Sequence, residues 1–472
     1  MGTPSLALHV ALAARLADEI EQGLWVAGQR LPSVRELSRS HGVSITTVLA
    51  AYRTLEDRRL IESRSKKGFF VSSGPRRRRC SDNSAVALEQ ADGPTTHDAL
   101  NGMDNLPGVV SFGTALCGEA LFPAGALARC IAATVRRHSA LLSTVSFSPG
   151  AQRLRNSLAS HAANWNCQLE ADDLLVTNGC VEAFSLCLQT VGKPGDAVIV
   201  ESPAYYGYLS TISQLGMYPV PVRFHGRETE ALTEVAQIAR EHRVAACLAA
   251  TAVSNPTGVS MTDETRQALV ALLESLAIPL IEDATFSDLH FNAVQRAAKS
   301  YDRTGNVLLC SSLSKTLAPG LRVGWVAGGQ RHREIVSLKR AMSVGQPLII
   351  QEAIGEFLEG GSYQHHLRRL RKQCCIQVRE TVEYIREHAP RGTFVREPDG
   401  GYLLWIRLPS GLSAMPLARR AYREGITVAP GPLFAPGGAF DDHIRLNCGN
   451  PLDERRRSAL GRLINLMREM VG

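Results

Sequence analysis

None of the eleven cysteines forms a Cys-x-x-Cys pair, and only Cys374 and Cys375 are adjacent. That spacing suggests neither a zinc framework nor a disulfide scaffold, so a reducing cytoplasm is the expected compartment. Long apolar runs are lacking too. The apolar residues near the N-terminus are interrupted by Arg15, Asp18, Glu19 and Glu21, which gives no expectation of a signal peptide or a membrane span. There is no internal repeat of the kind that builds solenoids. Charge of one sign is scarce everywhere except one place. Residues 1–80 hold 14 Lys+Arg against 7 Asp+Glu, and the remainder holds 38 of each. The whole excess of +7 is therefore N-terminal and points to a polyanion partner there.

What is present is enough for more than one core. Over 472 residues, 44% are apolar and 21% charged, the balance of a globular chain too long for a single domain. Apolar residues recur at helical spacing from Leu6 to Trp25, predicting one amphipathic helix. Gly28 and Pro32 break it. Ser33 with Glu36 three residues on predicts a capped second helix that Gly42 ends, and Ser44 caps a third through Val48, Tyr52 and Leu55. Two short apolar stretches, at 60–61 and 69–71, flank a basic, Gly-containing tip like a hairpin.

Residues 72–105 contain Gly74-Pro75, the four arginines Arg76 to Arg79 and a polar stretch with little periodicity, which predicts a tether. Beyond it, helical stretches alternate with apolar runs at 174–176, 197–200, 246–248, 280–281 and 307–309. That alternation predicts a mainly parallel sheet covered by helices.

The string LPSVRELSRSHGVSITTVLAAYRTLEDRRLIESRSKKGFFV, residues 31–71, resembles the winged helix-turn-helix of the GntR family. A capped helix of about three turns fits the major groove, with its N-terminal side chains at base edges. The resemblance implies that Arg35, Ser44, Thr46 and Thr47 face double-stranded DNA and that Lys66, Lys67 and Gly68 form the wing tip. Ile45 stands where the family usually carries Arg, so no readout role is assigned to it. Arg76 to Arg79 fit a solvated tail as well as a phosphate clamp.

The larger segment carries VTNGCVEA at 176–183, ESPAYYGY at 201–208, SNPTG at 254–258, LIEDATFSDLHF at 280–291, SSLSKTLAPGLRVGW at 311–325 and IRLNCGN at 444–450. Together these resemble the fold-type I aminotransferase family over nearly all of 106–472. Joined to a GntR-type head, they are identified with the MocR subgroup of regulators. The implied fold is multidomain: a winged helix-turn-helix over 1–73, a linker over 74–105, and an α/β aminotransferase-like domain over 106–472. Within the last, a large subdomain is expected at about 150–340 and a smaller α+β one mostly at 345–472.

Pyridoxal 5′-phosphate needs an amine for its aldehyde, a counter-charge for its ring nitrogen and a cradle for its phosphate. The resemblance implies Lys315 as the Schiff-base lysine, Asp283 as the partner of the ring nitrogen and Asn255 as the partner of the ring hydroxyl. Tyr205 would stack on the ring, with Tyr206 a stand-in. Gly179, Cys180 and Val181 open a helix suited to an anion, with Ser312 and Arg322 as donors. Arg445 would clamp the carboxylate of an amino-acid-like effector.

Two departures bear on catalysis. Phe286 replaces a usual Tyr that bonds the cofactor, and Val145 replaces a Tyr that commonly reaches a neighbouring subunit. Two functions therefore stand side by side: a ligand-gated, homodimeric regulator, or a working aminotransferase carrying a DNA-binding head. A body that only dimerises is a third reading. No metal is expected.

Overall fold

A computed structural model of the chain describes residues 8–21, 24–26, 28–58, 60–64, 68–72, 108–292 and 295–471. The expected tether at 74–105, with Arg76 to Arg79, lies outside these residues, as do Lys66 and Lys67. Two compact units divide between Ala85 and Val86.

The first unit contains helices α1 (Leu8–Glu21), α2 (Val34–His41) and α3 (Ile45–Asp57), then strands β1 (Ile61–Arg64) and β2 (Gly68–Val71). The capping chemistry read from the sequence is in place. Ser33 Oγ accepts from the Glu36 amide while Glu36 accepts from the Ser33 amide, and Gly42 closes α2 in the left-handed region at φ 64°. The first helix stops at Glu21, short of Trp25, because the chain turns there: the Leu24 amide donates to Glu19 O and Trp25 Nε1 to the Glu19 carboxylate. Leu12, Leu16, Leu37, Val48, Tyr52, Leu55, Ile61 and Val71 make one core. The antiparallel β1–β2 pair is the wing.

The second unit is built on a seven-stranded sheet. Its strands are β4 (Leu174–Thr177), β5 (Ala197–Glu201), β6 (Tyr218–Val222), β7 (Val244–Ala249), β8 (Leu280–Asp283), β9 (Val307–Ser312) and β10 (Gly324–Ala327), preceded in the chain by β3 (Val110–Ser111). Their order is β4-β10-β9-β8-β7-β5-β6, with β10 antiparallel to both neighbours and the other pairings parallel. Five of these strands contain the apolar runs legible in the sequence. The other two do not announce themselves. β6 reads Tyr-Pro-Val-Pro-Val and survives because it lies at the sheet margin, pairing only with β5. β10 opens on Gly324, where an added Cβ would come within 2.5 Å of the Gly179 backbone, so a Gly that breaks the apolar pattern is what lets these two segments pack.

Helices cover both faces. Those used here are α4 (Ala124–Arg137), α5 (Gln152–Ala162), α6 (Cys180–Val191), α7 (Tyr206–Gln214), α8 (Glu228–Glu241), α9 (Asp263–Ser275), α10 (His332–Ser343), α11 (Leu348–Glu359) and α12 (Ser362–His388). Side chains of α6, α7 and α10 pack on one face, and those of α8 and α9 on the other. Ile354 and Phe357 of α11 join Leu174, Val176 and Trp325 in a further cluster with α5.

A four-stranded antiparallel sheet, β11 (Phe394–Val395), β12 (Leu403–Arg407), β15 (His443–Asn447) and β14 (Ala429–Pro430), forms the smaller body. It packs on helices α13 (Ala414–Arg423) and α14 (Glu454–Val471) through Leu417, Leu460 and Leu463. β3 pairs in parallel with β13 (Ile426–Thr427), which brings residues 110–111 to this body. Among the described residues no helix is long and apolar enough to cross a membrane, and no group of three His, Cys, Asp or Glu could hold a metal ion.

Candidate cofactor site and nucleic-acid interface

In the first unit the candidate readers gather at two helix starts. Arg35 is exposed in the first turn of α2. Ser44 caps α3: its Oγ accepts from the Thr47 amide at 3.1 Å and lies 2.7 Å from the Thr46 and Thr47 hydroxyls. Both threonine hydroxyls pair with Ser44 Oγ, so a contact from any of the three to a duplex would draw on the atom that caps the helix or on its partners. Ile45 is 48% exposed beside them. Gly68 begins β2 at φ +99°, and a Cβ there would meet Arg30 Nε at 3.4 Å. Arg30 bridges to Phe70 and is exposed. It is a cation beside the wing that the motif reading missed, since it lies one residue before the matched string.

In the second unit six distant segments converge on a cavity of about 190 Å³ at the ends of the parallel strands. Its lining includes Cys180, Val181, Tyr205, Tyr206, Asn255, Asp283, Phe286, Ser312, Lys315 and Arg322. This is where open α/β sheets bind ligands. Topology produces the convergence, because β8 ends on Asp283, β9 ends on Ser312 three residues before Lys315, and α6 starts at Cys180.

Lys315 Nζ donates to Ala115 O at 2.7 Å. Burial, with Arg445 and Arg322 nearby, pushes its pKa down to about 8, so a sizeable fraction of the amine is uncharged and nucleophilic near neutral pH. Asp283 is buried. Its Oδ2 accepts from the Tyr208 hydroxyl at 2.5 Å and its Oδ1 from the Thr285 amide at 2.8 Å. Burial raises this carboxyl, and the donors from Thr285, Tyr208 and Cys180 oppose the rise. Tyr208 lies inside the ESPAYYGY motif, which does not single it out. It sits one helical turn after Tyr205, and the two rings meet edge to face at 5.4 Å.

At the opposite end, Arg322 Nη1 donates to Ser314 Oγ at 3.2 Å and Nη2 to Asn178 O at 3.3 Å. Ser314 is a hydroxyl that the sequence reading misses, although it lies beside Lys315. Gly179 does not line the cavity. It supports Arg322 from behind at φ +79°, where a Cβ would collide with Arg322 Nη2.

Arg445 lies on β15 and does not line the cavity either. It is fully buried, with Nη1 on Asn255 Oδ1 at 3.0 Å, Nη2 on Gly113 O, and the Phe434 and Tyr206 rings at 4.9 and 5.6 Å. Its Nε has no hydrogen-bond partner, and no carboxylate pairs with it among the described residues. A buried guanidinium in that condition favours an anion. Phe286 lines the cavity and meets the Tyr402 ring at 5.4 Å, with no hydroxyl to offer. Val145 is 63% exposed and takes no part in the lining.

Known proteins match along the same division. The family of bacterial regulatory proteins named gntR matches residues 8–71, and aminotransferase class I and II matches 121–463. Two Escherichia coli K12 proteins, the uncharacterized HTH-type transcriptional regulators YdcR and YjiR, align along nearly their whole lengths. They are 33% and 34% identical over 97% and 95% of this chain, covering 98% and 96% of their own. The chain belongs to the MocR-like group of GntR regulators. Like them, it joins a DNA-binding head to an aminotransferase-fold body. Among solved structures, LysN, the alpha-aminoadipate aminotransferase of Thermus thermophilus complexed with N-(5′-phosphopyridoxyl)-L-leucine, superposes with a TM-score of 0.73. At 23% identity over 82% of this chain and 97% of that one, it establishes the fold of the body. The mainly parallel sheet with a smaller α+β body, expected from the motifs, is borne out.

Proposed function

We propose that this MocR-like protein is a transcription regulator that holds pyridoxal 5′-phosphate in the 190 Å³ cavity and senses an amino-acid-like effector there. One observation carries the reading: an amine with a depressed pKa, a buried carboxylate and a set of hydroxyl and guanidinium donors meet in one cavity, from segments far apart in the chain. The donor set fits the cofactor. Pyridoxal phosphate, when bound, supplies an aldehyde electrophile and an electron-withdrawing ring.

The residues take these parts. Lys315 offers the amine. Asp283, steadied by Tyr208 and Thr285, faces the ring nitrogen and keeps a proton on it. Asn255 faces the ring hydroxyl and Tyr205 the ring itself. Ser312, Ser314, Arg322 and the amides of Cys180 and Val181 hold the phosphate, while Gly179, its own amide spent on Thr177 O, backs Arg322. Arg445, whose Nε lacks a partner, takes the effector carboxylate once Tyr206 and its surroundings give way.

Arg35, Ser44, Thr46, Thr47, Lys66, Lys67 and Gly68 face the duplex in this reading, with 1–73 as the head and 74–105 as a tether. The protein acts as a homodimer, two heads suiting paired half-sites one or more helical turns apart. The exposed apolar side chains Leu142, Val145 and Phe147 support such an association. Phe286 favours sensing over turnover, because the hydroxyl that would tune the lysine-linked cofactor is missing.

Effector control requires different affinities in the two arrangements of the protein. The test is borohydride reduction of cofactor-loaded protein, peptide mapping, and operator binding with and without the cofactor. Cofactor fixed to Lys315 together with altered operator affinity supports the reading. Identical operator binding by loaded, unloaded and Lys315→Ala protein sinks it, and rapid multiple turnover with an amino acid replaces it with the aminotransferase.

A further inference from the structure

A second buried network lies behind the cavity and contributes no side chain to its lining. At its centre is Asp288, five residues past Asp283. His161 Nε2 lies 3.0 and 2.8 Å from its two oxygens, Trp165 Nε1 donates at 3.1 Å, and the Tyr363 hydroxyl lies at 3.3 Å. Burial alone would raise the Asp288 carboxyl. His161 and Arg371 outweigh that effect and hold it below its ordinary value, so it stays ionised.

The network leads to Thr316, the residue after Lys315. Tyr363 Oη lies 2.8 Å from Thr316 Oγ1, and His366 Nε2 lies 2.7 Å from Thr316 O. Burial pushes His366 below its ordinary value. It is therefore neutral at neutral pH, and the bond to a carbonyl assigns its proton to Nε2. Thr316 is thus pinned at both side chain and backbone, and the pins fix where the Lys315 side chain starts.

Both pins stand in the first turns of α12, whose 27 residues run past three cores. Tyr363 and Leu367 pack with the large-sheet cluster that holds Trp165 and Trp325. Leu370 and Cys374 pack beside Phe286 and Tyr402. Val378, Val382 and Ile385 pack with Ile444 and Leu446, the neighbours of Arg445 on β15. A continuous helix is stiff along its axis and so is able to couple a shift at one end to the other.

We propose that Tyr363 and His366 are positioning residues for Lys315, setting the amine's place against Arg445 through the helix that carries them. The inference rests on the reading of Lys315 as the cofactor lysine. It concerns residues that touch neither cofactor nor effector in that reading. A network that only stabilised the fold would leave the amine's surroundings unchanged when one hydroxyl is removed.

The experiment uses the full chain with Tyr363→Phe, His366→Leu and His366→Gln, the last keeping a donor in place of Nε2. Reductive methylation by formaldehyde and cyanoborohydride, followed at the Lys315 peptide by mass spectrometry across pH, gives the midpoint of the amine without any cofactor. Burial acts on it most, followed by Arg445, the Cys117 thiol, Arg322 and Asp283, all retained in these variants. The midpoint therefore moves when the amine changes its burial or its distance from these groups.

Expected are a displaced midpoint and about fivefold weaker retention of pyridoxal phosphate in Tyr363→Phe and His366→Leu, the effect of about one lost hydrogen bond. His366→Gln should return toward the parent. An unchanged midpoint in Tyr363→Phe and His366→Leu, with only thermal stability lowered, overturns the proposal. Should His366→Leu fail to fold, Tyr363→Phe decides alone. If pyridoxal phosphate does not attach to Lys315 in the parent, the functional reading above fails, and the methylation midpoint still decides the positioning.

Discussion

The two units place their candidate functional groups under opposite physical conditions. In the head, Arg35, Ser44 and Thr46 are exposed on helix starts fixed by local caps. In the body, Asp283 and Arg445 are buried, and each is held by partners from remote segments. A surface that reads a polyanion needs only a rigid backbone and water-facing donors. A site that tunes an amine must take charges out of water, and every buried charge then needs dedicated partners. Single changes in the head should therefore have graded effects, while changes in the body should act through whole networks.

The sharpest way to break that contrast is Lys315→Ala, which should abolish borohydride-trapped pyridoxal phosphate on the chain while operator binding by the unloaded protein persists. Residual trapping at another lysine would count against the contrast. The same position offers a pH test. Because the folded value is about 8 and the ordinary one 10.5, the unfolded chain binds more protons between those pH values. The unloaded protein should therefore gain stability as pH rises from about 8 toward 10. Lys315→Met should lack that gain in denaturant titrations and be the more stable protein at pH 7.

Next in size is Leu55→Ala in the head, which deletes a fully buried side chain. A loss of about 2–5 kcal/mol is expected in denaturant unfolding followed at the head. If the body's transition moves equally, the two units do not unfold independently.

Tyr208→Phe comes third, with an expected loss of about 1–3 kcal/mol as the Asp283 carboxylate loses its phenol donor. Since that donor lowers the Asp283 pKa, its removal should raise it further, and cofactor retention should fail at a higher pH on acidification. Retention against pH measures this. Smallest is Ser44→Ala, where loss of the cap should cost about 1 kcal/mol. Operator affinity of Ser44→Gly separates lost capping from lost contact, since glycine at a helix cap costs only about a few tenths of a kcal/mol yet also removes the hydroxyl.

How much was legible follows the same division. The head's caps at Ser33, Gly42 and Ser44 are local chemistry, readable because cap and helix are adjacent in sequence. Apolar spacing overextends its first helix to Trp25, since the spacing persists through a turn that Glu19 holds together. In the body, the motifs mark Lys315, Asp283, Asn255, Ser312 and Arg322, and the structure gathers them around one cavity. Partnerships were not legible. His161, Asp288, Thr316 and Tyr363 meet across the fold with no shared period or spacing. Nor could the sequence show that Arg445 sits behind Tyr206, because shielding depends on which rings pack over a strand.

The margin of the large sheet has its own consequence. Tyr218 and Val222 of β6 bond inward, through Asp196 O and the Ser202 amide, so Pro219 and Pro221 alternate to the outer side. That border presents no amide hydrogens at two successive outward positions, so a stray strand arriving there finds acceptors but no donors and cannot complete a ladder. Copies of the chain are thereby kept from fusing into fibres along this rim.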